Sequence, residues 1–225
     1  MRNLLQGLSP RTEFALVIAG AFGFYILRSF YGVLFPASGA PSLAAGLMRE
    51  AAFEAVMLLV LAWFLYRRDW KGTRLGLVSH WSDALIGIGL ALAVVWVIYL
   101  FWTLAVFVAP SLSQGGAGQA AASQHVSPWL AAAYVLVNPF YEELFVTGYV
   151  IAALKEKWGE TWAINVSVVL RLLYHLSLGA SGIVTVIPMG LAFAYWFART
   201  NRLWPVVAAH AVIELVTLFS LMKGG

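Results

Sequence analysis

Six ionisable residues lie inside otherwise apolar segments in the second half of the chain. They are Glu142, Glu143, Arg171, His175, His210 and Glu214. A charged side chain at the centre of a bilayer costs at least about 2.5 kcal/mol, so each is a candidate for function. In an apolar pocket a carboxylate can act as a general base toward water, and a histidine can stabilise an oxyanion. These residue types could hydrolyse an amide bond without a thiolate, and the chain has no cysteine.

The two adjacent glutamates are expected to have different roles. Neighbouring side chains on a helix point about 100° apart, so we expect that Glu142 and Glu143 cannot both face one partner. We expect Arg171 to form an ion pair with Glu143 or Glu142, which would leave the other glutamate free for chemistry. The alternatives for Arg171 are backbone carbonyls near Pro139 or a pair with Glu214.

The remaining polar residues form two pairs with helical spacing. Arg171 and His175 are four residues apart, and so are His210 and Glu214, which places each pair on one face of a helix. Counting the rise per residue places Glu142, His175 and Glu214 at similar depth. One alternative is that all these groups are structural ion pairs between helices.

The rest of the sequence indicates that these residues lie in a membrane. Of the 225 residues, 62% are hydrophobic and 11% are charged, and the mean hydropathy is +0.84. A soluble domain is about half apolar and a quarter charged. The sequence predicts one all-α domain over residues 1–225, a polytopic transmembrane bundle of about seven helices. The predicted spans are residues 13–35, 43–66, 82–109, 128–154, 161–178, 182–199 and 203–222.

The positive charges predict the orientation of this bundle. Ten Lys and Arg residues lie in the connectors on one side, whereas Arg49 and Lys223 lie on the other. The positive-inside rule then places the N-terminus in the cytoplasm and the C-terminus outside the cell membrane. Because topology explains these charges, we expect no nucleic-acid partner. The uncharged connector 111–127 is predicted to be external, and Ser127 and Pro128 to begin the fourth span.

A few other polar residues are expected to be structural. Arg28 is predicted to pair with Glu50 or Glu54 across the first two spans, away from the motif residues. Asn138 is predicted to bond the local backbone. Pro139 removes a backbone donor and is predicted to kink the fourth span just before the glutamates.

Three short motifs resemble one known family. Glu142 and Glu143 match the start of a Glu-Glu-x-x-x-Arg motif, with Thr147 at the arginine position. Arg171 and His175 match a Phe-x-x-x-His motif, with arginine at the phenylalanine position. A third motif, histidine followed four residues later by Asn or an acid, matches residues 210 and 214. Over residues 128–222 the chain thus resembles the intramembrane glutamic proteases that include the Rce1-type CAAX prenyl proteases and the bacterial CPBP, or abortive-infection, proteins.

The resemblance implies an intramembrane endopeptidase that cleaves a membrane-associated peptide or protein. Glu142 would activate water, while His175 or His210 would stabilise the oxyanion. Glu214 as a carboxylate could only orient a histidine. The expectation is that no cofactor and no metal take part, because the His-Glu-x-x-His spacing of zinc proteases is missing. Two alternatives remain: a metal-dependent membrane hydrolase, since histidines and carboxylates suit zinc or iron, and a catalytically degraded scaffold.

The orientation can be measured with a reporter fused after Gly225. We expect the reporter to be extracytoplasmic, because the ten connector charges are retained on the inner side. A cytoplasmic reporter would contradict the predicted orientation.

Overall fold

The computed structural model describes residues 6–35, 42–111 and 126–223. Within these ranges the chain forms seven long helical segments and no β-strand. The prediction of an all-α bundle of about seven helices is therefore confirmed. Residues 112–125 of the predicted external connector lie outside the described ranges.

The helices begin and end close to the predicted bounds. The first three are α1 (Pro10–Leu34), α2 (Leu43–Arg67) and α3 (Asp83–Val108). The fourth segment is continuous but has three parts, namely α4 (Pro128–Glu142), a π-helical part (Glu143–Tyr149) and α5 (Val150–Trp158). The last three are α6 (Glu160–Tyr174), α7 (Gly179–Thr200) and α8 (Trp204–Lys223).

Two ends of helices test the local sequence signals. Helix α4 begins as predicted, because the Ser127 side chain accepts a hydrogen bond from the backbone N–H of Leu130, and Pro128 follows it. The predicted end of the fifth span at residue 178 is wrong. Helix α6 ends at Tyr174, His175 is its C-cap, and a short 3-10 helix (Leu176–Leu178) leads into α7.

Four helical segments in the described ranges are long and apolar enough to cross a bilayer. They are Pro10–Leu34, Asp83–Val108, Leu176–Thr200 and Trp204–Met222. Helix α2 has the length of a span but carries Arg49, Glu50 and Glu54. Helix α6, with 15 residues, is about 22 Å long, which is shorter than the hydrocarbon core of about 30 Å. Helices α2 and α6 therefore belong to the bundle but lack the length or the apolar composition of a typical membrane span.

Apolar side chains cover the surface of the bundle and several charged side chains are buried inside it, as expected for a protein surrounded by lipid. Large apolar side chains such as Leu27, Phe107 and Trp129 are 72%, 84% and 86% exposed. Glu143 and Arg171, in contrast, have no exposed surface. Charged groups inside and apolar groups outside, together with the four apolar helices, identify a membrane protein.

Among the described residues, three apolar clusters hold the bundle together, one of which joins α2, α4 and α8. The largest joins α1, the fourth segment and α6 around fully buried aromatic side chains, among them Phe22, Tyr141 and Phe145. The second joins α3, α7 and α8. Helices α3 and α8 approach closely at Gly87, where a Cβ atom would lie 2.5 Å from the Cβ of Ala208. Small residues at such crossings let two membrane helices come into contact.

We expect Gly87→Ala to destabilise the protein by about 1–3 kcal/mol, because the added methyl group overfills the contact with α8. Gly89→Ala is the matched control on the same helix, since a Cβ atom there meets nothing within 4 Å. Thermal unfolding of both variants in detergent measures the difference. Equal melting temperatures would contradict the close contact.

Candidate active site

The two glutamates lie where the fourth segment changes from an α-helix to a π-helix. Pro139 has no backbone N–H, and the hydrogen bonds of the next turns shift so that the N–H of Val150 donates to the carbonyl of Phe145. Ser167 of α6 donates to the carbonyl of Val146 at 2.6 Å and ties this part to its neighbour. Such π-helical turns are frequent at functional sites. A kink is predicted here from Pro139, whereas the π-helix has no signal in the sequence.

Arg171 of α6 binds both glutamates. Its Nη1 lies 3.3 Å from Oε2 of Glu142, and its Nη2 lies 2.8 and 2.7 Å from the two carboxylate oxygens of Glu143. The predicted ion pair is therefore present. The expectation that the glutamates cannot face one partner is wrong, because the two terminal nitrogens of a guanidinium are far enough apart to reach two diverging carboxylates.

Helix α7 leaves room for the Arg171 side chain. A Cβ atom at Gly190 would lie 3.3 Å from Cδ of Arg171, so the arginine lies directly against the backbone of α7. The Phe193 ring follows one turn later, 6.0 Å from the guanidinium carbon. The Nε atom of Arg171 has no hydrogen-bond partner among the described residues. The packing of α7 thus directs the two terminal nitrogens toward the glutamates.

Glu143 is fully enclosed and has two further partners. Thr147 donates its hydroxyl to Oε2 at 2.6 Å, and Nδ1 of His210 lies 2.7 Å from Oε1. Thr147 stands where the family motif has arginine. In this chain the Thr147 hydroxyl and the guanidinium of Arg171 both bind Glu143. A hydrogen bond from Nδ1–H to Glu143 fixes the His210 ring, so that its Nε2 points away from Glu143. That Nε2 lies 3.9 Å from Glu214.

Glu142 has a different set of neighbours. Tyr174 donates its hydroxyl to Oε2 at 2.8 Å, and the Nε2 atom of His175 lies 4.0 Å from the same oxygen. The amide of Asn138 is 3.4 Å from Oε1. The prediction that Asn138 serves the local backbone is wrong, since its amide donates to carboxylates. Tyr174 was missed because a tyrosine in an apolar span gives no distinct sequence signal.

A cavity of about 290 Å³ opens beside Glu142 and not beside Glu143. Four of the six predicted site residues line this cavity, namely Glu142, His175, His210 and Glu214. Glu143 and Arg171 lie behind this wall. All six are therefore linked by short contacts, but they divide into a layer that reaches the cavity and a layer that supports it.

Helices α1 and α2 supply the opposite wall of the cavity. Arg28 pairs with Glu50 as predicted, and Glu50 also accepts a hydrogen bond from Tyr134 at 3.3 Å. Glu54 accepts from Tyr25 at 3.0 Å and from Asn138 at 2.9 Å. The expectation that Arg28, Glu50 and Glu54 lie away from the motif residues is wrong. Chain positions more than 80 residues apart carry no spacing signal that would have brought these groups together.

The cluster also contains a possible set of metal ligands. One donor atom each from Glu142, Glu143 and His210 lie within 4.8 Å of one another. The guanidinium of Arg171 already donates to both carboxylates. A cation that occupies the space between two ligands opposes the binding of a second one there. The arrangement therefore fits a glutamate pair bridged by an arginine better than a metal site.

Comparison with known proteins supports the resemblance drawn from the motifs. The family model described as type II CAAX prenyl endopeptidase Rce1-like matches residues 124–216. This segment is less than half of the chain and includes all six site residues. No curated protein matched the chain, and no solved structure matched it. The matched part of the chain is thus similar to a family of prenyl endopeptidases.

We expect Arg171→Phe to lower the stability by about 3–5 kcal/mol, because it leaves two buried carboxylates without their cation. Adding Thr147→Arg places a guanidinium four residues after Glu143 on the same segment and should restore part of the loss. Thermal unfolding of the single and double variants measures this. Thr147→Arg alone is the control and should destabilise, since two cations then compete for the same carboxylates. A double variant no more stable than Arg171→Phe would contradict the idea that a cation on the fourth segment can replace Arg171.

Proposed function

We propose, on the premise of the Rce1-like match, that this chain is an intramembrane glutamic endopeptidase that hydrolyses a peptide bond of a membrane-associated peptide or protein. One observation carries the proposal. Of the two glutamates in the first motif, Glu142 lines a polar cavity together with two histidines. A carboxylate, a space for water and donors for an oxyanion are the parts that amide hydrolysis needs.

Glu142 is the general base in this proposal. Its surroundings leave one oxygen, Oε1, with a single long contact of 3.4 Å to Asn138, while Oε2 is held by Tyr174 and Arg171. The cavity has room for several water molecules, each of which takes about 30 Å³ in the liquid. Glu143 has no exposed surface and three strong partners, so it serves as the anchor for Arg171 and His210.

The proposed reaction conserves protons within the cluster. Glu142 accepts a proton from water as the resulting hydroxide attacks the substrate carbonyl carbon. The carbonyl oxygen becomes an oxyanion, the C–N bond then breaks, and the proton held by Glu142 passes to the departing amine. Glu142 returns to its carboxylate form, and no covalent enzyme intermediate is needed.

The two histidines are the proposed oxyanion donors, and His210, whose Nδ1–H is bound to Glu143, donates from Nε2 as the imidazolium. The side chain of His175 is 27% exposed, and the side chain of His210 lines the cavity with its Nδ1 fixed by Glu143. The carboxylate of Glu214, 3.9 Å from Nε2 of His210, can orient that nitrogen but cannot itself donate. These contacts support the same assignment of roles that the motifs imply.

A metal-dependent hydrolase is the second candidate, and the three donor atoms of Glu142, Glu143 and His210 favour it. In that mechanism a metal ion would activate the water. The two candidates differ in their response to chelators, so one assay separates them.

Purified full-length protein in nanodiscs, assayed with a quenched peptide library, tests the proposal. We expect Glu142→Gln to lower the rate of cleavage by a factor of about 10² to 10⁴, because the amide cannot accept the proton of water. Glu156→Gln changes an exposed carboxylate of α5 outside the cavity and is the matched control with unchanged activity. Melting temperatures establish that both variants are folded.

Each other outcome has a defined meaning. Equal cleavage traces for the wild type and Glu142→Gln would contradict the proteolytic role of Glu142, and absence of cleavage in both would favour a scaffold. Loss of activity with a chelator and its return with zinc would replace the glutamic mechanism by the metal-assisted one.

A further inference from the structure

A second, larger cavity of about 630 Å³ lies at the end of the bundle where α1 begins and where α2 and α5 end. It shares no lining residue with the cavity beside Glu142. We call it the basic pocket, and its cations are Arg11, Arg68, Arg74 and Lys157. The proposed peptidase mechanism makes no use of it.

The basic pocket has an excess of positive charge. Its one carboxylate, Glu13, forms an ion pair with Arg68 and accepts hydrogen bonds from Trp70 at 2.8 Å and Tyr149 at 3.3 Å. Both carboxylate oxygens of Glu13 therefore already have partners within the protein. The charges of Arg11, Arg74 and Lys157 then remain without a carboxylate in the pocket wall.

These three cations lie on the exposed rim, and one of them is held in place. Arg11, Arg74 and Lys157 are all exposed. The Arg74 guanidinium stacks on the Trp70 ring at 4.1 Å and donates to the carbonyl of Ala152 at 3.3 Å. A guanidinium fixed in this way can present its remaining N–H groups to an anion with little loss of conformational freedom.

The other surface of the pocket is aromatic and apolar. The Phe14 and Tyr149 rings stack with centroids 6.1 Å apart, and Leu154 and Trp158 continue the wall along α5. Trp158 is half-exposed at the end of that helix. A ligand that fits both surfaces has an anionic head and an apolar body. The location at the ends of membrane helices is where lipid headgroups lie.

We propose that the basic pocket binds the phosphate group of an anionic phospholipid, with Arg11, Arg74 and Lys157 around the phosphate and the lipid's apolar part against Phe14, Leu154 and Trp158. Basic residues beside the headgroups each strengthen the binding of anionic lipids. A soluble phosphate compound shares the head chemistry but would leave the aromatic wall uncovered.

Native mass spectrometry of the full-length protein, titrated with phosphatidylglycerol or phosphatidylcholine, tests the proposal. We expect tighter binding of phosphatidylglycerol, and a loss of about five-fold for Arg74→Gln and for Lys157→Gln. Arg67→Gln is the matched control, since Arg67 lies at the same end of the bundle, stacks on Trp63 and does not line the pocket. Its affinity for phosphatidylglycerol should match the wild type.

Three results would overturn the proposal. Equal affinity for the two lipids would exclude recognition of the anionic head, and an equal loss in Arg67→Gln would assign the effect to general surface charge. Displacement of the lipid by millimolar inorganic phosphate would assign the site to a soluble phosphate compound. Because the readout is lipid binding and not cleavage, the result is independent of the proposed peptidase activity.

Discussion

The buried guanidinium of Arg171 is the contact on which the arrangement of the site depends. Two carboxylates on consecutive residues repel each other strongly in an apolar bundle unless a cation lies between them. Arg171 provides that cation from a second helix, and Gly190 lets a third helix close over it. Three helices are thereby held at one point, and His210 from a fourth is oriented by Glu143. The ion pair thus determines both the stability and the geometry of the cluster.

The cluster separates fully enclosed groups from groups that reach the cavity. Glu143 and Arg171 are fully buried, whereas Glu142 and His175 reach the cavity. The opposite wall comes from α1 and α2, which lie outside the Rce1-like segment, and Glu54 connects to that segment through Asn138. The residues that recognise a substrate can therefore come from a different part of the chain than those assigned to the reaction.

Local sequence signals predicted the helices and the main ion pair. The length of each apolar segment predicts a helix, and Ser127 with Pro128 predicts where the fourth one begins. Arg171 inside an apolar segment predicts a carboxylate partner, because an unpaired charge there is costly. The π-helix was not predictable, since it reflects small differences among the hydrogen bonds of neighbouring turns. The roles of Asn138 and Tyr174 depend on which helix faces which, and this is set by packing over the whole bundle. The same holds for the placement of Glu54 in the site.

The π-helical turn acts as a phase shift within one membrane helix. One residue more in a turn rotates every later side chain by about 100° relative to an uninterrupted α-helix. The part before the turn packs against α2, and the part after it packs against α6. The fourth segment therefore contacts two neighbouring helices with faces that point in different directions. Glu142 and Glu143 lie at the boundary between α4 and the π-helical part. A straight α-helix of the same sequence could match only one of these neighbours at a time.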